Sequence, residues 1–294
     1  VLAYLQNIVV LFCINAILAV TLNFIMGYAG IFSLAHAVFF GIGAYAAAYT
    51  ALHFSASLWL CLLAGMALAG VLSLLLSLPA LRVRGEYFVA ASLGIQMIAI
   101  TIFSEWSSVT GGLGGLVGIP PPQVFGVELL TPANFVPLGV LGLLAVLAIT
   151  TMLSRGSFGR SLMAIRDSES AAQAAGKSVA VIKALSVALS AALSAIGGAI
   201  YAFYMSFVNV ESFMLDASIL LMAMVIIGGT GTILGPIVGA TVLMALPAAL
   251  SFLPFLPSTE LGNIQQLIYG ACMVALMMFR PGGIVGRRSV GARS

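Results

Sequence analysis

The first 81 residues of this chain contain no Asp, Glu, Lys or Arg. A soluble domain carries about a quarter of its residues as charges, whereas here the whole chain is 6% charged and 62% hydrophobic. A charge at the centre of a bilayer costs about 2.5–3.5 kcal/mol on insertion scales, so such a deficit is what life in lipid demands. The reading is an all-α polytopic integral membrane protein, with residues 1–294 forming one transmembrane domain. The net charge of +3 does not indicate a nucleic-acid partner, because the basic residues are scattered beside apolar runs.

Crossing a hydrocarbon core of about 30 Å takes about 20 helical residues. Apolar runs of that kind occupy Tyr4–Met26, Ile31–His53, Ser57–Pro79, Glu86–Trp106, Phe135–Leu153, Lys183–Phe207, Met214–Gly228, Leu234–Leu253 and Leu261–Phe279. This predicts about 8–10 transmembrane helices, the seventh being short enough to be either a half-helix or a full span. Gly and Pro mark the joints, among them Gly27, Gly30, Pro79, the Gly111–Pro122 stretch, Gly228–Gly231, Pro254 and Pro257. Lys and Arg are retained on the cytoplasmic side. Arg82 and Arg84, the segment 154–183, and Arg280, Arg287, Arg288 and Arg293 follow alternate runs, while the loops between them carry only Glu128, Glu211 and Glu260. Nine crossings with the N-terminus outside fit that alternation, with an external loop at about 107–134. No basic n-region precedes the first run, so no cleaved signal peptide is expected. Cys13, Cys61 and Cys272 lack metal or redox spacing and read as small core residues.

Against this background the cytoplasmic segment 154–183 is a charged island, holding seven of the 19 charged side chains. It reads as short helices offered to a docking partner. Asp167 or Ser168 suits a helix N-cap, Glu169 the positive end of the dipole, and Gly176 the C′ position. Two turns of helix are not stable alone in water, so a partner is expected to cover a small-residue face of Ala171, Ala172 and Ala175. The alternative is a solvated loop. Ala171–Ser178 also approaches a phosphate-binding loop, but Ala171 replaces its first Gly and no strand precedes it; nucleotide binding by this chain is rejected.

Within the runs, an ionisable group such as His36 is a functional candidate for a solute pathway, or a neutral ring bonded to a carbonyl. Asn15, Asn23 and Gln96 read as interhelical hydrogen-bond formers, Gln96 also as a pathway candidate. His53, Glu105 and Trp106 fit the interface. Gly231, Gly235 and Gly239, and likewise Ser190, Ser194 and Gly198, repeat at the spacing of close helix packing. No metal cluster, nucleophile with a base, or carboxylate pair at mid-depth is visible. A carrier driven by its own ion gradient needs such a relay, so the driving force is expected from elsewhere and the chain is not read as an enzyme.

Six stretches taken together carry a resemblance. They are Asn23–Tyr45 (NFIMGYAGIFSLAHAVFFGIGAY), Leu81–Phe88 (LRVRGEYF), Thr110–Pro120 (TGGLGGLVGIP), Phe158–Gly176 (FGRSLMAIRDSESAAQAAG), Gly228–Gly239 (GGTGTILGPIVG) and Arg280–Ile284 (RPGGI). In order and over about residues 20–285, they resemble the branched-chain amino-acid permeases of ATP-binding cassette (ABC) importers, of the LivM type. Ile31 and Ala35 depart from that pattern, standing where a polar residue and a Gly are common. The resemblance implies a prokaryotic plasma-membrane permease subunit, inner membrane in a Gram-negative cell. It implies partnership with a second, LivH-type permease, two cytoplasmic ATP-binding subunits and a periplasmic or extracellular substrate-binding protein. ATP and Mg would be bound by those ATPase subunits, leaving this chain without a cofactor. The island would be the coupling loop, with Arg160, Arg166, Asp167, Glu169, Ala172 and Gly176 facing the ATPase. Gly27, Gly30, Gly228 and Gly231 would be bend points of the moving helices. The solute would be a branched-chain or other hydrophobic amino acid. The alternatives are urea, short amides or other amino acids within the same class, and a self-contained secondary carrier or channel outside it.

Overall fold

Helices hide their backbone polar groups from lipid, and helices are what the apolar runs form. The computed structural model describes residues 2–80, 86–124 and 127–251, and short pieces at 267–268, 270–271, 274–275, 278 and 282–286. Arg82, Arg84, most of the ninth expected span, Pro254, Pro257, Glu260, Cys272, Arg280, Arg287, Arg288 and Arg293 lie outside the described residues. The helices are α1 (Leu2–Asn23), α2 (His36–His53), α3 (Leu58–Ala80), α4 (Glu86–Glu105), the short α5 (Ser107–Thr110), α6 (Pro132–Arg155), α7 (Ser157–Asp167), α8 (Glu169–Ala174), α9 (Val179–Met205), α10 (Leu215–Gly228) and α11 (Gly235–Ser251). Among the described residues, strands are limited to four two-residue pieces, β1 (Leu116–Val117), β2 (Gln123–Val124), β3 (Val127–Glu128) and β4 (Phe207–Val208).

The loops sort to two ends. At one end β1 pairs antiparallel with β4, and Gln123 bonds back to Ala56, tying the 107–131 loop to the turns before α3 and after α9. At the other, Arg166 meets Gly27, Asn23 meets Thr232, and Val285 donates its N–H to Gly228. The long helices α1, α2, α3, α4, α6, α9, α10 and α11 run alternately between these ends. Arg155, Arg160, Arg166, Lys177 and Lys183 all attach to the second end, which the positive-inside rule makes cytoplasmic.

Six helical stretches among the described residues are long and apolar enough to cross a membrane. The central one is α1, 72% of whose apolar window is buried, and the most peripheral is α6 at 17%. α2 has the length, 18 residues, but is not one of the six. Its packing shows why: it lies between α3 and α9, buried from His36 through Ala48, and a helix facing protein needs Ala and Gly rather than Leu.

Two boundaries correct the sequence reading. The second span begins at His36, because residues 30–35 are not helical. α1 ends in a π-helical turn over Phe24–Tyr28. The seventh span keeps its expected bounds as a 14-residue helix, about 21 Å long at 1.5 Å per residue, and the 3-10 turn Val210–Phe213 that leads into it brings the stretch to a length able to cross a membrane. Further, Gly231, Gly235 and Gly239 do not share a helix face, since α11 starts only at Gly235.

Without a hydrophobic drive between helices in lipid, close backbone approach supplies the packing energy. A Cβ on Gly198 would stand 2.5 Å from the Phe40 carbonyl and 2.7 Å from the Ala44 amide, so α9 meets α2 backbone to backbone. By contrast, a Cβ on Gly94 of α4 would meet nothing within 4 Å. We expect Gly198→Ala to lower the thermal midpoint of the purified protein by about 2–6 °C, since overpacking costs about 1–3 kcal/mol. Gly94→Ala should leave the midpoint unchanged or slightly raised.

Candidate functional site

The chain leaves α1 at Gly30 and must re-enter the bundle to start α2. The end of α1 lies at the cytoplasmic face. His36, the first residue of α2, lies beside Thr21, seven residues before Tyr28, which is about 10 Å of helix rise. α2 therefore starts inside the bundle, with its free N–H groups away from water. Serines from three elements meet the backbone there. Ser92 of α4 accepts from the Leu34 amide at 3.0 Å, Ser218 of α10 from the Ala37 amide at 3.1 Å, and Ser33 from the Ala35 amide at 3.3 Å. Irregular backbone is tolerated at membrane depth when protein satisfies it in this way.

His36 is fully buried. Thr21 Oγ1 lies 2.9 Å from the Leu18 carbonyl and 3.0 Å from His36 Nε2. Among the described residues Nδ1 has no hydrogen-bond partner. Gln96, also fully buried, donates from Nε2 to the Phe213 carbonyl at 2.7 Å and finds no partner among them for Oε1. Phe213 is packed among Phe40, Tyr45, Phe103 and Tyr201 with ring centroids 5.0–6.3 Å away. Both pathway candidates thus bond elements of this one subunit together, in a closed interior. Asn15 corrects an expectation, since its amide bonds the Leu11 carbonyl of its own helix rather than a neighbour.

The four glycine bend candidates gather at the cytoplasmic end. A Cβ on Gly27 would collide with the Gly231 backbone, and one on Gly228 with Gly235. Gly30 and Gly231 both have positive φ, +69° and +72°, a conformation that side chains with a Cβ rarely adopt. Asn23 locks the two joints together: its Oδ1 accepts the Gly231 amide at 2.8 Å and its Nδ2 donates to the Thr232 carbonyl at 2.8 Å. The Gly282–Gly286 turn closes over the same place, with Ile284 and Val285 amides on the last carbonyls of α10.

The charged island is the remaining part of the cluster. α7 buries Leu162 and Ile165, and Ser168 caps α8 by accepting the Ala171 amide at 3.3 Å. Gly176, φ +77°, ends α8 in a Schellman turn: Gly176 N–H donates to Gln173 and Lys177 N–H to Ala172. These bonds turn the amides inward, so the stretch resembling a phosphate-binding loop is helix and turn. Ala172 packs inward on Ile165 and Val179, so of the expected small-residue face only Ala171 and Ala175 look outward. Glu169 pairs with Lys183 of α9, which joins α8 to the next span. A pair with its carboxylate side chain 42% exposed contributes under about 1 kcal/mol; it sets position rather than stability. Arg160 is exposed and donates to the Arg155 carbonyl. Arg166 reaches inward: its Nη1 donates to the Gly27 carbonyl at 2.7 Å, while Nε and Nη2 hold Asp167 at 3.3 and 3.2 Å.

Asn23 and Lys183 matter more here than the sequence indicated. Asn23 opens the first stretch of the resemblance, and Lys183 faces Glu169 from 14 residues away, a separation that periodicity on one helix does not encode. Among the described residues no group of three His, Cys, Asp or Glu is gathered.

A family model described as "Branched-chain amino acid transport system / permease component" matches residues 4–277. The chain is 30% identical to the high-affinity branched-chain amino acid transport system permease protein LivM of Escherichia coli (strain K12), over 95% of this chain and 69% of that protein. Identity is also 30% to the LivM protein of Salmonella typhimurium (strain LT2), over 92% and 68%. The autoinducer 2 import system permease protein LsrC of Yersinia pseudotuberculosis serotype O:1b (strain IP 31758) is 26% identical over 59% of this chain and 48% of its own length. No solved structure matches the chain.

Replacing Asn23 by Leu leaves the partly buried Gly231 amide and Thr232 carbonyl without this partner, at about 1–3 kcal/mol for each group. Unfolding in lipid nanodiscs should show a loss of about 2–4 kcal/mol for Asn23→Leu. Asn15→Leu, which frees only a carbonyl within its own helix, should cost less than about 1 kcal/mol by the same measurement.

Proposed function

The chain belongs to the branched-chain amino-acid transport system permease family, and from that premise we propose that it conducts branched-chain or other hydrophobic amino acids across the plasma membrane. It is a multi-pass permease subunit of an ABC importer and works with other components of that importer. In our reading those components are a second, LivH-type permease that completes the pathway, two cytoplasmic ATPase subunits that bind ATP and Mg, and an external binding protein that delivers the solute.

The observation that carries this reading is the convergence of four separated segments, 23–31, 166–167, 228–235 and 282–286, beneath the charged island. A force applied to the island from the cytoplasm falls on the joints of α1, α2 and α10 and on the start of α9. α7 and α8 form a unit able to receive it: Ile165, Ala172 and Val179 share a small core, and the Glu169–Lys183 pair anchors it. Ala171, Ala175 and the exposed Arg160 offer an outward surface to an ATPase. Substrate outside and ATP inside each favour one arrangement of the same helices, by as much as their affinities for the two arrangements differ. A neutral solute with an apolar side chain needs few charges along its route, in keeping with spans that hold no carboxylate at mid-depth. Choice among solutes then rests with the binding protein.

Two measurements test the proposal. Proteoliposomes carrying the whole importer should take up labelled leucine only with ATP inside and the binding protein present, unaffected by excess urea. Uptake by this chain alone without ATP would identify a carrier or channel instead, and competition by urea would move the substrate to the amides. Placing carboxylates on the outward face of α8, Ala171→Glu with Ala175→Glu, should cut co-purification of the ATPase subunits by about tenfold, as like charges and buried unpaired charges cost several kcal/mol at an interface. Retention of the ATPase subunits by that variant would remove α8 from the docking surface.

A further inference from the structure

Arg166 is one of the residues that resemblance assigns to the ATPase surface; its side chain is 41% exposed, yet its guanidinium turns one nitrogen inward. Nη1 lies 2.7 Å from the Gly27 carbonyl, and the remaining edge is held by Asp167. The last carbonyls of a helix lack intrahelical partners, and here a cation from a different element caps the end of α1, where the dipole is negative. At Gly30 the backbone leaves room for this side chain only because a Cβ is missing, whereas at Gly231 a Cβ would make ordinary contact with it. A Cβ on Gly30 would stand 2.8 Å from Arg166 Cγ, and one on Gly231 3.6 Å from Nη1. The residue therefore bonds the joint of α1 directly and ends near the joint after α10, while its backbone belongs to α7.

Gly27 sits in the π-helical turn Phe24–Tyr28. A π turn differs from α-helix by one residue of register, so it has a discrete alternative state rather than a continuum of bends. Gly27 is also the point at which α1 approaches Gly231, so a change of register there moves the seam between α1 and the α10–α11 turn.

We infer that Arg166 is a positioning residue: it transmits displacement of the α7–α8 unit to the π turn of α1 through the Gly27 carbonyl, rather than contacting the ATPase. This rests on the importer reading above and adds the internal link to it. Asp167, whose side chain is 71% exposed, has the subordinate task of fixing the orientation of the guanidinium.

The test uses the complete importer in proteoliposomes and reads leucine transported per ATP hydrolysed, together with the amount of ATPase subunit retained. Wild-type ATP-driven uptake establishes the parent reading; if it is absent, that reading and this one fall together. Given that uptake, Arg166→Met should keep the ATPase subunits bound and hydrolysing while transport per ATP drops by about tenfold or more, within the usual range of coupling between sites. Arg166→Lys, able to reach the carbonyl or the carboxylate but not both, should recover part of the ratio. Asp167→Ala, on the exposed side and so safe for folding, should lower the ratio by about threefold, and it decides the matter if Arg166→Met fails to assemble. The inference is overturned if the ratio stays at the wild-type value in the assembled variants. It is equally overturned if uptake and hydrolysis fall in proportion as ATPase subunits are lost, since that marks a surface contact or a purely structural role.

Discussion

In hydrocarbon no water is available to an unpaired backbone group, and this fold depends on how the break between α1 and α2 meets that demand. Residues 30–35 cross protein interior without helical structure, and α2 begins about 10 Å above the cytoplasmic end. Ser33, Ser92, Ser218 and Arg166 supply partners that a continuous helix would have provided. They come from the island and from α4 and α10 as well as the break itself, so the break is held only when those elements are assembled. A joint of this kind is stable as a whole and sensitive to any one contributor.

The second condition is the absence of side chains where backbones meet. Gly198 lets α9 lie on α2, and Gly27 lets the end of α1 lie on the Gly231 turn. Dispersion between closely packed backbones replaces the hydrophobic drive that lipid removes. The first contact is in the middle of the bundle and the second at its cytoplasmic end, directly beneath α7. A bundle with its centre packed this closely moves as bodies about its joints, which suits a subunit whose energy arrives from outside.

Much of the fold was legible in the residues. Charge starvation, run lengths and the alternation of Arg and Lys predicted a bundle of the right class and the order in which the helices rise and fall. Capping chemistry placed α8 between Asp167 or Ser168 and Gly176, and the structure chooses Ser168 as the N-cap. What composition misplaced was the start of α2, because Ile31–Ala35 is as apolar as a span; hydropathy measures the preference for leaving water and is indifferent to whether the backbone there is helical. The contribution of Ala171, Ala172 and Ala175 was legible only as a group. Which of the three turns inward is set by Ile165 and Val179, residues on other helices.

The gathering at the cytoplasmic end lies on the far side of the same division. Gly27, Gly30, Gly228 and Gly231 were recognisable as glycines at joints, and Arg166 as a charge in the island. Membrane residence, helical class and sidedness follow from the sequence alone, because they depend on one-body energies: each residue's transfer from water to lipid, and each charge's position beside a span. That Arg166 faces the Gly27 carbonyl and Glu169 faces Lys183 follows only from tertiary structure. Those are two-body terms between residues as much as 139 apart, and they exist only when packing has brought the helices to within hydrogen-bonding distance.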